Sequence, residues 1–241
     1  MTQTSWPWER LNRGNANAHD VLATLLEPKE GERWLDVGTG GGGLAFRLAR
    51  DGADVVGVDV ADDGLEHARA AADEQGVTAR FEHGNAQELP FEDGSFDGVA
   101  SAFGVIFAPD RERAAGELGR VCRRDGKLGL TLMPSDSRTG SLFMILARYG
   151  GPASHPARWP DEVDRLLGDA FELEVDRYES PEPPTPLLAW DDAVQAFAPL
   201  RAVVAQLDDG GVAALRAELE DVDRRYAERP ASYHIVVGRR R

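Results

Sequence analysis

Near its amino end the chain carries the stretch Trp34-Leu35-Asp36-Val37-Gly38-Thr39-Gly40-Gly41-Gly42-Gly43-Leu44. A short apolar run ends in an acid, a cluster of glycines follows, and an apolar segment comes next. This order predicts a strand, a tight turn and a helix. Glycines in such a turn let backbone N–H groups approach a ligand closely, and they direct the amino terminus of the helix at it.

The spacing of these glycines fits two ligands. Gly38-x-Gly40-x-Gly42 is the pattern for S-adenosylmethionine. Gly38-x-Gly40-x-x-Gly43 is the dinucleotide pattern, and it supports an NAD(P)-dependent oxidoreductase as the alternative. Asp36 favours the first ligand, because a carboxylate at this point attracts an amino group and a sulfonium but repels a diphosphate.

Length and composition limit the classes of function. The 241 residues, 42% of them hydrophobic, fit one α/β domain with a sizeable core. A net charge of −15 argues against nucleic acid and against anionic membranes as partners. The single cysteine, Cys122, excludes an internal disulfide, and the five histidines lack metal-ligand spacing, so no metal is expected. Neither a signal peptide nor a membrane span is apparent, so we expect a cytoplasmic protein.

Strand and helix patterns alternate along the chain. In the first half, strands are predicted at 33–37, 54–58, 78–83, 96–101 and 127–132, helices at 41–50, 62–75 and 111–122, and a turn at 125–126. Beyond Pro134, helices are predicted at 141–149, 161–167, 191–207 and 212–228, and strands at 171–178 and 233–237. Such alternation is typical of an α/β, doubly wound, mostly parallel sheet.

Several landmarks in this order resemble the class I S-adenosylmethionine-dependent methyltransferases, in the broad group that includes the ubiquinone and menaquinone biosynthesis enzymes. They are the glycine stretch, Val55-Val56-Gly57-Val58-Asp59, Gly84-Asn85-Ala86-Gln87-Glu88-Leu89-Pro90-Phe91, Ser95-Phe96-Asp97-Gly98-Val99 and the segment 117–128. The resemblance covers residues 33–133 and implies a Rossmann-like, seven-stranded sheet with an antiparallel last strand and helical cap segments.

Position and resemblance together predict a cofactor site. Asp59 ends a strand, where an acid can accept both ribose hydroxyls, and Val60 would pack on the adenine face; the alternative for Asp59 is a helix cap. Asn85 and Ala86 stand where the family usually has Asp-Ala, and the Asn85 carbonyl oxygen can accept from the adenine amino group, although the residue also suits a turn. Ser101, after the fourth strand, is expected at the methionine moiety. The predicted cofactor-binding residues are Asp36, Gly38, Thr39, Gly40, Gly42, Asp59, Val60, Asn85, Ala86 and Ser101.

The predicted reaction needs few catalytic side chains. A sulfonium is an activated methyl donor, so transfer is an in-line displacement that depends on holding the acceptor and excluding water. A base is needed only if the acceptor must lose a proton, and His19 and His155 are weak candidates for it. A non-catalytic protein that binds S-adenosylmethionine is a further alternative. The sequence sets neither the acceptor nor the oligomeric state.

The rest of the chain is predicted to build the acceptor site within a single domain. Its parts are an amino-terminal cap segment (1–30), the cofactor-binding core (31–133), an acceptor-side segment with the sixth strand (134–180), a helical insertion (181–230) and the last strand (231–241). Residues 6–26, 134–159 and 181–228 are rich in Phe, Leu, Trp and Tyr, which predicts a small hydrophobic or aromatic acceptor and a lid. The alternative to a lid is a fixed helical layer. Phe103, Phe107, Phe143 and Trp159 are candidates for an apolar wall or for plain core packing.

Overall fold

The computed structural model describes residue 9 and residues 13–150, 158–181 and 189–241. Predictions made for the segment 6–8 and for His155 lie outside the described residues, as do residues 151–157 of the predicted acceptor-side segment and 182–188 of the predicted helical insertion. None of the helices in the described ranges combines the length and the hydropathy that a membrane span requires.

Strands in the described ranges form one seven-stranded sheet. They are β1 (Arg33–Val37), β2 (Asp54–Asp59), β3 (Ala79–His83), β4 (Phe96–Ala102), β5 (Cys122–Leu132), β6 (Phe171–Glu179) and β7 (Ser232–Arg240). The strand order is β3-β2-β1-β4-β5-β7-β6. Six of these strands run in the same direction, and β7 runs in the opposite direction. The predicted sheet is confirmed. Because the chain crosses from β3 to β4 over β2 and β1, the carboxyl ends of β1 and β4 mark the switch point where such sheets bind ligands.

Helices cover both faces of the sheet. One face carries α1 (Ala16–Leu26), α2 (Gly43–Leu48) and α3 (Asp62–Gln75), and the other carries α4 (Arg111–Val121) and α6 (Trp159–Leu167). The faces separate because side chains alternate along a strand: Leu35 and Val37 of β1 join the α4 side, and Trp34 joins the α1 side. The predicted helix 62–75 is found with the same bounds.

Helix α1 belongs to the core layer, although it was predicted within a cap segment. Leu22 and Leu26 pack over Gly129 of β5, where a Cβ would lie 2.6 Å from Leu26. At the other end of the helix, the Tyr233 hydroxyl donates to Asn17 Oδ1 at 2.6 Å. Residues 16–26 therefore lie against a face of the sheet, and only the start of α1 reaches its carboxyl edge.

Helices α5 (Arg138–Arg148), α7 (Trp190–Ala196), α8 (Ala198–Val204) and α9 (Asp209–Tyr226) form a separate layer, which we call the helical cap. They share their own apolar cluster, which includes Leu146, Val203 and Leu215. The Arg138–Asp223 ion pair ties α9 to α5. The insertion thus packs on the segment that follows β5.

Two predicted elements differ from the structure by more than the positions of their ends. The turn at 125–126 lies inside β5 as an irregularity, with Asp125 at a φ of +59°, because pairing with β4 resumes on both sides of it. The single helix predicted at 191–207 is split into α7 and α8 at Phe197, whose backbone is extended. Pro199 explains the split, because proline cannot donate to the carbonyl four residues earlier but is accepted in the first turn of a new helix.

Candidate active site

The glycine turn between β1 and α2 folds over the end of β2. The N–H groups of Gly38 and Thr39 donate to the Val58 carbonyl at 2.8 and 2.9 Å. Gly38, Gly40 and Gly42 all have positive φ angles, of +70°, +50° and +82°. Only glycine adopts this conformation without strain, so the turn requires the glycines that the sequence supplies.

Asp59 stands at the carboxyl end of β2, directly beside this turn. Its Oδ2 accepts from the Gly40 N–H at 2.8 Å, and its Oδ1 accepts from the Ala61 N–H at 2.9 Å. Ala61 directly precedes α3, so this second bond also holds Asp59 beside the start of that helix, and the ribose role stays a prediction. Each oxygen retains a lone pair for a further donor. The adjacent Val60 side chain is 60% exposed, an unusual exposure for a valine beside a buried strand.

Asp36 lies beneath the turn and is buried. Its Oδ2 accepts from the Thr39 hydroxyl at 2.7 Å and from the Ala45 N–H at 3.1 Å. Its Oδ1 is buried and has no hydrogen-bond partner among the described residues. Burial raises the pKa of Asp36 to about 7; the bonds from Thr39 and Ala45 oppose this shift, and the charge of Asp59 adds to it. Asp36 therefore organises the turn from inside rather than presenting an exposed carboxylate.

The loop after β4 contacts the glycine turn at the level of the backbone. The Ser101 hydroxyl donates to the Val37 carbonyl at 2.6 Å and accepts from the Val105 N–H at 2.8 Å. A Cβ on Gly104 would lie 2.5 Å from the Gly38 carbonyl oxygen. Ser101 is fully buried, so its hydroxyl acts here as a link between β1 and the loop, and its contact with a ligand stays a prediction.

Asn85 and Ala86 follow β3, next to the end of β2. Asn85 Oδ1 accepts from the Gln87 N–H at 2.9 Å and from Gln87 Nε2 at 3.3 Å, which is the arrangement of a turn residue. Because a backbone N–H can only donate, the amide oxygen must face Gln87, and the amide nitrogen is left to face outward. The oxygen predicted to accept from adenine is thus already engaged.

Aromatic rings gather at the carboxyl ends of the strands beyond the switch point. The Phe103 ring meets Tyr233 edge to face, with 6.3 Å between centroids, and Tyr233 stacks on Tyr178 at 6.1 Å and 11°. We call these three the sheet row. Phe103 has a φ of +57°, although it is not glycine.

A second group of rings connects the same loop to the helical cap. Phe107 lies 5.4 Å from Phe143, and Phe143 lies 5.5 Å from Phe197, between ring centroids. We call these three the cap row. Phe107 is 43% exposed, whereas Trp159 is fully buried in the main core. Trp159 is therefore a core residue. The rings of Tyr178, Tyr233 and Phe197, which the sequence did not indicate, join the other three candidates, and an apolar acceptor wall formed by these rings stays a prediction.

Two of the described histidines, His19 and His234, are poor bases. Burial lowers the pKa of His19 to about 3, and Arg47 adds to this effect. Burial also lowers the pKa of His234. An imidazole with a lowered pKa drives proton removal weakly at neutral pH, so neither is assigned a catalytic role.

The architecture is that of an α/β protein whose glycine turn and Asp59 lie at the carboxyl edge of its sheet. A methyltransferase domain model matches residues 35–130. The Mycobacterium tuberculosis protein Rv1405c, itself uncharacterized, is 35% identical over 227 residues, covering 88% of this chain and 78% of that protein. Demethylmenaquinone methyltransferase of Thermus thermophilus is 44% identical over 127 residues, covering 52% of this chain and 57% of that enzyme.

Solved structures share the fold. Phosphoethanolamine N-methyltransferase 2 of Haemonchus contortus, in complex with S-adenosyl-L-methionine, superposes with a TM-score of 0.63 at 19% identity, covering 92% of this chain and 52% of that one. The chain belongs to the class I S-adenosylmethionine-dependent methyltransferases. Its cofactor is S-adenosylmethionine, and the open Asp59 carboxylate, the exposed Val60 and the glycine turn fit that molecule.

Proposed function

We propose that Asp59, Val60 and the glycine turn hold the cofactor across the ends of β1 and β2. Asp59 accepts from the ribose hydroxyls with the lone pairs that Gly40 and Ala61 leave free. Val60 supports one face of the adenine, and Asn85 with Ala86 borders its edge. The glycine turn holds the methionine end above Asp36. These roles rest on the positions of the residues around the switch point.

The acceptor, in this proposal, is a small hydrophobic or aromatic molecule that binds between the loop after β4 and the helical cap. The observation that carries it is the exposed ring of Phe107, which continues into the cap row. Apolar walls of this kind bind apolar acceptors by removing their surface from water. No strongly polar acceptor would recover its lost hydration there.

The chain's contribution to the reaction is positioning. When bound, the cofactor supplies a methyl group on a positively charged sulfur, already activated for in-line displacement. The glycine turn fixes that end of the site, because its N–H groups are anchored on the Val58 carbonyl. The aromatic walls hold the acceptor close and keep water out, which are the main sources of rate in such a transfer. Where the acceptor atom must lose a proton, that proton passes to water.

The cofactor assignment is tested with Asp59→Ala, with Asp54→Asn as the matched control at the opposite end of the same strand. A charge-assisted hydrogen bond contributes roughly 1.5–3 kcal/mol, so Asp59→Ala should weaken S-adenosylhomocysteine binding about 10- to 100-fold in calorimetry. Asp59→Asn should lie between this variant and the wild type, because it keeps one acceptor oxygen. Asp54→Asn should bind normally. Unchanged affinity in a folded Asp59→Ala variant would refute the ribose role.

The acceptor class is tested by methyl transfer to a panel of size-matched molecules. Half of the panel is aromatic or aliphatic and half is strongly polar, and S-adenosylhomocysteine formation is measured. We expect turnover within the first half only. Turnover confined to polar molecules would overturn the acceptor class, and saturable binding of the cofactor without turnover of any panel member would favour the non-catalytic alternative.

A further inference from the structure

The loop between β4 and α4 brings the cofactor turn and both aromatic rows together. Gly104 touches the glycine turn, with its Cα position so close to Gly38 that a Cβ there would be 2.7 Å from the Gly38 Cα. Phe103 directly precedes this glycine, and Phe107 is the last residue of the 3-10 turn that follows it. The two residues therefore lie next to the glycine turn, and their rings belong to different aromatic rows.

Phe103 holds its ring in place at the cost of backbone strain. A φ of +57° is rare for a bulky residue, and such strain persists where the surrounding structure needs it. Its N–H donates to the Thr131 carbonyl at 3.2 Å, which fixes the backbone beside β5. The ring gains one edge-to-face contact, with Tyr233. Glycine would adopt this φ without strain, but it would remove the ring. The strain is therefore the cost of placing the Phe103 ring at this position.

Phe107 presents the opposite case, since its backbone is relaxed and its ring is exposed. The rest of its 3-10 turn, Val105 and Ile106, is fully buried in the main core. Phe107 alone points away from that core, where its ring tilts against Phe143 at 58°. The exposed Phe107 ring lies in the loop that contacts the glycine turn, and one side of it already packs on Phe143. A further planar ring can pack on its exposed side.

Resting on the proposed function, we propose that Phe103 and Phe107 determine acceptor specificity and select a planar aromatic acceptor over a saturated one of the same size. Edge-to-face and offset contacts depend on the charge distribution of aromatic rings, and a saturated ring cannot make them. Burial of apolar area alone would not distinguish the two. Phe107 supplies the contact on the cap side and Phe103 the contact on the sheet side.

The test uses 2-naphthol and decahydro-2-naphthol, which share a skeleton and a hydroxyl but differ in aromaticity. Binding of each probe is measured by calorimetry or ligand-observed NMR, with the full-length protein saturated with S-adenosylhomocysteine. We expect wild type to prefer 2-naphthol by about tenfold or more, as two aromatic contacts imply. Phe103→Leu and Phe107→Leu should each reduce this preference about 3- to 10-fold, mainly by weakening the binding of 2-naphthol.

Two further variants separate specificity from folding. Phe91→Leu is the matched control, because that ring packs on Phe96 at the amino end of β4 and should leave the preference intact. Phe103→Gly accepts the positive φ but loses a partly buried ring, so its thermal midpoint should fall; it should still bind S-adenosylhomocysteine yet lose the preference. Equal affinity of wild type for the two probes, or failure of both to bind while S-adenosylhomocysteine binds, overturns the inference. Failure of S-adenosylhomocysteine itself to bind wild type overturns the proposed function instead.

Discussion

Gly104→Ala isolates the contact between the loop after β4 and the glycine turn. Gly104 has a φ of −79°, a conformation that alanine adopts freely, so the substitution adds a methyl group without backbone strain. That methyl would lie 2.5 Å from the Gly38 carbonyl oxygen and 2.7 Å from both the Gly38 Cα and the Val37 carbonyl oxygen. All three are backbone atoms, so no side chain can rotate away. One of the two loops must move by about 1 Å to restore ordinary contact distances.

The size of the effect follows from this geometry. Overpacking of a close-packed site costs about 1–3 kcal/mol, which in a chain of this length lowers the thermal midpoint by roughly 2–10 °C. The displaced turn includes the groups proposed to hold the cofactor, so S-adenosylhomocysteine affinity should fall about 10- to 100-fold. A shift of about 1 Å is enough to weaken hydrogen bonds that are steep in distance and angle.

Gly116→Ala is the matched control. Gly116 lies inside α4, and a Cβ there would have no atom within 4 Å. Alanine is favoured over glycine in a helix by about 0.5–1 kcal/mol, so this variant should unfold at a slightly higher temperature and bind S-adenosylhomocysteine normally. Calorimetric titration and thermal unfolding measure both properties. If Gly104→Ala kept both the affinity and the thermal midpoint of wild type, the contact between the loops would not constrain the site, and the reasoning would fail.

Two more substitutions test the electrostatics and hydrogen bonding of the site. The fold raises the pKa of Asp36 from 3.8 to about 7, so it favours the protonated form, and the free energy of unfolding should fall as pH rises from about 4 to about 7. Asp36→Asn should show a smaller fall between pH 5 and pH 8 in urea titrations, and an identical fall in both proteins would contradict this. Asn85→Asp keeps one oxygen for the Gln87 N–H and gives the second to adenine, so S-adenosylhomocysteine should bind about 3- to 10-fold more tightly. An equal or weaker affinity would show that this position does not contact the base.

The cofactor half of the molecule could be predicted from sequence because its signals are local. The strand β1, the glycine turn and α2 are consecutive in the chain. The apolar pattern indicates the strand, the glycines indicate the turn with its positive φ angles, and the next apolar segment indicates the start of the helix. Predicting the position of Asp59 requires only one further strand, β2, which ends at this residue. The break at Phe197 shows the limit of the approach: Pro199 is visible in the sequence, but whether it kinks, ends or restarts a helix depends on the packing of α7 and α8 in the cap.

The acceptor side could not be predicted to the same depth, because its contacts are distant in sequence. Tyr178 and Tyr233 each stand in a segment that the pattern predicts as a strand. They become partners only because β7 runs antiparallel between β5 and β6, with Tyr178 opposite Tyr233 in the register. A shift of one residue would turn one ring to the other face of the sheet. Phe197 likewise joins Phe143 only after α7 and α8 pack on α5.

Asp36 shows how a sequence signal can carry an incomplete physical argument. The sequence identifies the acid and supplies a reason for it, the attraction between a carboxylate and a positively charged ligand. In the structure that carboxylate is buried under the turn, bonded to Thr39 and Ala45, with its second oxygen unpartnered among the described residues. Burial opposes its ionisation, whereas a positive charge above the turn would favour it. The same residue can therefore stabilise the turn when protonated and respond to a cation when ionised, because low local polarity strengthens both interactions.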